Sequence, residues 1–232
     1  MQINHAPTSR LVLYKRDASP PSNAVRMVGA ILGLQFDFKE PDLLKLEHRS
    51  AEFKKINPML TIPVLQDGDF VFAESHAIIL YLVNKYGGEH KAALYPFDPQ
   101  TRAVVDQCLH FDAGVMFRRL QDVAKPTLLA KKPGPTEQDI SHIEDAYECL
   151  EAFLGRHVYV ACEHLTVADV SLASTVAPMQ WIHELDAERF PKTVSWLARL
   201  AAEPVFKEIN EPGATAFGKV MKHFWEMNKK SD

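Results

Sequence analysis

The sequence has no CxxC pair, and its three cysteines, Cys108, Cys149 and Cys162, lie apart in otherwise helical or apolar contexts. A zinc site and a dithiol redox motif therefore find no support, and packing is the expected role of all three. A basic surplus is also missing. The 26 Lys and Arg stand against 30 Asp and Glu, a net charge of −4, which argues against a nucleic-acid partner. The longest purely apolar run, Ala77-Ile78-Ile79-Leu80-Tyr81-Leu82-Val83, is far too short to span a bilayer. Ten histidines are scattered with none at metal-ligand spacing, and no Gly-rich phosphate loop occurs. No metal and no membrane partner are expected. Met1 to Arg10 lacks the apolar core of a signal peptide, and free thiols without an export signal suit a cytoplasmic protein.

What is present is an ordinary globular composition over 232 residues, 47% hydrophobic and 24% charged, enough for one large domain or two small ones. Leu11-Val12-Leu13-Tyr14 reads as a short buried strand. Asp17-Ala18-Ser19-Pro20-Pro21-Ser22 follows as a strand-to-helix junction. Serine is a favoured N-cap and proline suits the first helical turn. Ala24, Met27, Val28 and Ile31 then form one apolar helical face, with Gly33 placed as a C′ glycine. Gln35 to Lys39 alternates as a half-buried strand, which completes a βαβ unit. Lys45 to Lys55 is expected as a short exposed helix ending at Asn57-Pro58. Thr61-Ile62-Pro63-Val64-Leu65 is a strand led by a proline, and its X-Pro bond is a candidate for the cis form. Asp67-Gly68 signals a hairpin into Phe70-Val71-Phe72. Glu74-Ser75-His76 opens another helix, with Ser75 expected as its N-cap. The bare N–H groups and dipole at such helix tips favour an anion.

Gly87-Gly88 and Leu94 to Pro99 break the pattern and form a natural linker. Beyond them helix dominates. Gln100 to about Val123 reads as one long segment, Lys131 to Pro135 as a loop, and Ile140 to Leu154 as an amphipathic helix. Thr166 with Asp169 has the form of a capping box, with Leu165 and Val170 as its hydrophobic staple. Val194, Leu197 and Leu200 mark another helix. Phe217, Val220, Met221 and Phe224 mark the last.

Three motifs occur in register: Ser-Pro-Pro-Ser at 19–22, Asn-Pro-x-x-Thr-Ile-Pro-Val-Leu at 57–65, and Glu-Ser-His-Ala-Ile at 74–78. Together they resemble the cytosolic glutathione S-transferases, most of all the insect epsilon class, with delta or unclassified insect groups next. The resemblance implies a thioredoxin-like α/β domain at 1–88 and a linker at 89–98. An all-helical domain at 99–232 would follow, and residues 1–9 would be an extra N-terminal segment. It implies glutathione as co-substrate and a homodimer with Glu74 near its interface.

The site residues implied by that resemblance fall into three groups. Ser19 would donate a hydrogen bond to the glutathione thiolate. The tripeptide would be held by Pro21, His48, the Leu60 position, Ile62, Pro63, Glu74, Ser75, His76 and Arg119. Ile62 would pair its backbone with the cysteinyl unit. Glu74 would meet the α-amino group, and Ser75 the α-carboxylate. His48 would lie near the glycyl end. Leu60 departs from the family, which usually has a histidine there, so weaker glutathione binding by about 1 kcal/mol is expected from one lost hydrogen bond. Asn23 replaces a common arginine, with little effect expected. The electrophile would meet Ala18 and Pro21 from the first domain. Met116, Phe117, Leu120, Val123, Phe217 and Phe224 would complete its site, which suits detoxification of lipophilic electrophiles such as insecticides. Two rivals remain: a non-catalytic carrier of hydrophobic molecules, and a structural descendant of the fold. A thiol oxidoreductase would need a cysteine where Ser19 stands, and adjacent Ser75 and His76 cannot form a nucleophile–base pair.

Overall fold

The computed structural model describes residues 10–42 and 45–230. The expected extra segment at 1–9 lies outside them. Strand β1 (Leu11–Tyr14) is followed by helix α1 (Pro20–Ile31) and strand β2 (Phe36–Lys39). A 3-10 turn at Glu47–Arg49 and helix α2 (Ala51–Ile56) come next, then strands β3 (Val64–Asp67) and β4 (Phe70–Ala73) and helix α3 (Ser75–Tyr86). The sheet order is β2-β1-β3-β4, with β1 and β2 parallel and the other neighbours antiparallel. The single helix expected over 45–55 is thus two pieces, because Ser50 is extended and its hydroxyl caps α2 by accepting from the Phe53 N–H at 3.1 Å.

Strand alternation decides which residues face which layer. Leu11, Leu13 and Leu65 join the main core with Ile78, Ile79 and Leu82 of α3 and Val25 and Val28 of α1. Tyr14 and Val64 face the other side, where Phe53 of α2 covers them in a small separate cluster. Gly33 takes φ +68 after α1, and Gly68 takes φ +61 in the β3–β4 turn, conformations that glycine adopts without a Cβ penalty.

The remainder is helical: α4 (Lys91–Leu94), α5 (Pro99–Phe111), α6 (Phe117–Leu129), α7 (Glu137–Leu154), α8 (Val167–Met179), α9 (Pro191–Ala201) and α10 (Glu211–Lys229). A wide π turn, Asp112–Met116, joins α5 to α6, so the long segment expected over 100–123 runs on to Leu129 with one distorted turn inside it. Such π turns accumulate at functional sites. Helix α8 is buried around nearly its whole circumference and packs against α1, α5 and α10. A helix apolar on all sides belongs at the centre, and α8 is the seam on which the sheet unit and the helical unit meet.

Candidate active site

The chain leaves β1 and turns into α1 through a loop that is tied at several points. Ser19 is extended (φ −102, ψ 107) and occupies the N-cap position, with Pro20 and Pro21 opening the helix. Its N–H donates to the Arg16 carbonyl at 3.0 Å. Proline has no N–H, so the hydroxyl of Ser19 replaces backbone amides as the donor at this tip. Ser22, fully buried, donates its hydroxyl proton to Ser19 Oγ at 3.0 Å. The Ser19 hydroxyl has no other side-chain partner among the described residues, so its own proton is free for a ligand.

Asn23 has more to do than the sequence suggested. It is 2% exposed, and its Nδ2 donates to the Asp17 carbonyl at 2.7 Å while its Oδ1 accepts from Arg26 at 3.0 Å. The bond from Lys15 Nζ, reinforced by the charges of Lys15, Arg26 and Arg16, holds the Asp17 carboxyl below the usual carboxylate range against its partial burial. Helix α10 closes on this loop at Gly213, where an added Cβ would lie 2.1 Å from Asn23 Nδ2.

The second wall of the site begins at Asn57, whose buried amide donates to the Thr61 carbonyl at 2.9 Å and accepts from the Met59 N–H at 3.0 Å. This braces the turn before the Ile62-Pro63 peptide, which is cis. β3 starts only at Val64, so Ile62 keeps an N–H and a carbonyl without backbone partners among the described residues. Glu74 is the capping residue of α3, not Ser75; it takes φ 74, ψ 111, and Ser75 becomes the first helical residue. A bulky residue at positive φ is uncommon and such strain gathers at functional positions. His76 Nε2 lies 2.7 Å from Ser171 Oγ and 3.1 Å from Asp112 Oδ2, and Ser171 donates to that same Asp112 oxygen at 2.5 Å. This triad joins α3, the π turn and α8. Asp112 Oδ1 is buried without a partner among the described residues.

A cleft of about 490 Å³ lies between the two units. It gathers Ser19, Pro21, Ile62, Pro63, Glu74, Ser75 and His76 from the first unit, and Phe117 and Leu120 from the second. Asp112 and Ser171, which no sequence motif singled out, line it as well. Other expected residues stand elsewhere. Met116, Val123 and Phe217 lie outside the lining, 0%, 2% and 5% exposed in the main core, a core that Leu120, also 2% exposed, shares while bordering the cleft. Phe224 is half-buried on α10 beside His223, outside the cleft lining. Ala18 packs against the core behind Ser19. Arg119 lies off the α6 stripe that faces the cleft and leans on Asp122 at 3.9 Å. Leu60 (φ 57) borders the lining residue Thr61. His48 sits in the 3-10 turn outside the lining, and burial, together with the Arg49 charge, pushes its imidazole pKa down. No group of three or more His, Cys, Asp or Glu able to hold a metal occurs among the described residues.

Residues 13–90 match the family model described as the glutathione S-transferase N-terminal domain. Glutathione S-transferase 1 of Manduca sexta is 38% identical over 205 residues, 88% of this chain and 93% of that protein. The chain belongs to the glutathione S-transferase family. Among solved structures, the transferase resembles an epsilon-class enzyme from the housefly, Musca domestica, with a TM-score of 0.89 and 38% identity over 93% of this chain and 98% of that one. It also resembles a glutathione transferase homologue from Drosophila mojavensis, with bound glutathione, at a TM-score of 0.88 and 39% identity, with the same coverage. The expected likeness to the insect epsilon class is the one found, as is the thioredoxin-like sheet unit followed by helices.

Proposed function

We propose that this transferase binds glutathione in the cleft and uses the Ser19 hydroxyl to hold its sulfur as a thiolate for attack on hydrophobic electrophiles. The observation that carries this reading is the state of Ser19. Its oxygen is bonded by Ser22, and Ser19 lines an open cleft with no other side-chain partner among the described residues, which leaves its hydroxyl able to donate to a ligand. A free thiol has a pKa of about 8.5, and lowering it by about two units takes roughly 2.7 kcal/mol of preference for the thiolate. A hydrogen bond to a charged partner contributes about 1.5–3 kcal/mol. The helix dipole adds at most about 1 kcal/mol, and less here because two prolines remove N–H groups from the tip. The hydroxyl is sufficient without a basic side chain, and Ser19 keeps its own proton.

The rest of the cradle supports the same reading. The unpaired backbone of Ile62 suits strand-like pairing with the cysteinyl unit. The exposed Glu74 carboxylate suits an ammonium, and the uncapped start of α3 at Ser75 suits a carboxylate. Residues 1–88 would then be the glutathione-binding domain, 89–98 its linker and 99–232 the domain that receives the electrophile. Detoxification of xenobiotics, insecticides included, in the cytoplasm is the role this chemistry fits. A homodimer accords with the exposed aromatic face of β4 and α3, where Phe70 is 53% exposed and stacks on Phe72 at 4.7 Å. No helix among the described residues is long and apolar enough to cross a membrane.

Turnover of chlorodinitrobenzene with glutathione tests the proposal. Ser19→Ala is expected to lower kcat about a hundredfold, the usual size for a lost donor at developing negative charge. Full activity in that variant, or none in the wild type, contradicts it, and the latter result favours a carrier.

A further inference from the structure

The cleft wall facing away from the sheet is one stripe of α6, made by Phe117, Leu120, Gln121, Ala124, Lys125 and Leu128. The steps of three and four place all six on one helix face. Four are apolar. The polar pair, Gln121 and Lys125, lies one turn apart on the shoulder of the stripe. The neighbouring cations are already engaged: Arg118 bonds Asp122 at 2.7 Å and Arg119 leans on the same carboxylate at 3.9 Å. Lys125 is exposed and has no carboxylate or other hydrogen-bond partner among the described residues. The acidic groups that line the cleft, Glu74 and Asp112, come from the start of α3 and from the π turn. The cleft is therefore polarised in a chain whose net charge is −4, with its unpaired ammonium on the electrophile side.

We propose that Lys125, helped by Gln121, selects electrophiles whose apolar body carries a carboxylate. The body lies against Phe117, Leu120 and Leu128, and the acid meets the ammonium. This rests on the conjugating function proposed above and names the substrate class of the same site. Apolar walls lower the local dielectric, so one unpaired charge in a cleft steers and holds an anion better than one on open surface. Where the electrophile is an aryl halide, the sulfur–carbon bond forms at the carbon bearing the halide. The halide leaves with its bonding pair, the thiol proton passes to solvent, and the carboxylate takes no part in bond making.

The test compares chlorodinitrobenzoate with neutral chlorodinitrobenzene at saturating glutathione, in the wild type, Lys125→Met, Lys125→Arg and Lys125→Glu. The readout is the ratio of the two kcat/KM values, from which any general damage divides out. The ratio is expected to fall about fivefold in Lys125→Met, as suits a partly exposed ion pair, and further in Lys125→Glu. Lys125→Arg should keep it, and added salt should lower it in the wild type. A ratio that stays within roughly twofold of wild type in both the Met and Glu variants overturns the proposal. If neither compound turns over in the wild type, the conjugating function has failed instead. Equilibrium binding of the two compounds, read by tryptophan quenching, then tests Lys125 through the same ratio.

Discussion

Ser19 differs from an ordinary helix cap in what its oxygen already holds. A capping serine normally accepts from a backbone N–H of the first turn, but here the acceptor role is filled by the Ser22 hydroxyl at 3.0 Å. Ser22 thereby fixes Ser19 as a donor. Ser22→Ala should leave the fold intact and raise the pKa of bound glutathione by about half a unit, as the loss of one supporting hydrogen bond implies. An unchanged pKa would reduce Ser22 to packing. Leu60 gives the opposite case, a position where the present residue is a poor fit. It sits at φ 57, a region in which histidine is tolerated better than leucine. Leu60→His should therefore fold at least as well and lower KM for glutathione about fivefold by adding one hydrogen bond. A higher KM would show that the position does not face the ligand. That Ser19, Ile62 and Glu74 come together along one cleft was legible in the sequence because each belongs to a local motif. The parts of Asp112 and Ser171 were not, because their partners are brought near only by folding, 95 positions apart in the case of His76 and Ser171. The bonds of Ser22 and Asn23 are local but depend on side-chain geometry that a motif does not encode.

At the scale of elements, the clearest sequence signal was the capping box at the start of α8, and the structure adds what it supports. Asp169 is fully buried and accepts from the Thr166 N–H at 2.8 Å, the Thr166 hydroxyl at 3.0 Å, the Val160 N–H at 2.9 Å and Trp196 Nε1 at 3.0 Å. One carboxylate thus ties α8 to the preceding loop and to α9. Asp169→Ala leaves four buried donors unsatisfied, and each such loss costs about 1–3 kcal/mol. A destabilisation of at least about 3 kcal/mol is expected from urea denaturation, and one under about 1 kcal/mol would contradict this role. Helix faces were harder to read than helix existence. Met116, Phe117, Leu120, Val123 and Phe217 were all expected at the electrophile site from the resemblance. Phe117 and Leu120 line the cleft, whereas Met116 at the end of the π turn Asp112–Met116, Val123 on α6 and Phe217 on α10 face the core. Periodicity cannot register a single widened turn.

At the scale of the molecule, the seam on α8 fixes one unit against the other, so the cleft is a product of the whole fold and belongs to neither unit alone. The outer edge of the sheet is a different matter. β4 is an edge strand whose Phe70 and Val71 are 53% and 37% exposed, and Phe70 lies 5.6 Å from Tyr81 of α3. Exposed aromatic edges of this kind are association surfaces. The homodimer proposed above predicts a dimeric wild type and a monomeric Phe70→Glu in sedimentation velocity at micromolar concentration, and a monomeric wild type contradicts it. A dimer that persists unchanged would place the interface elsewhere.

The central claim concerns the charge on one sulfur atom. Ultraviolet titration of enzyme-bound glutathione reads that charge directly, without any electrophile. The wild type should show a thiol pKa about two units below the free value of about 8.5, and Ser19→Ala should return most of that shift. An equal pKa in the two proteins would contradict the account.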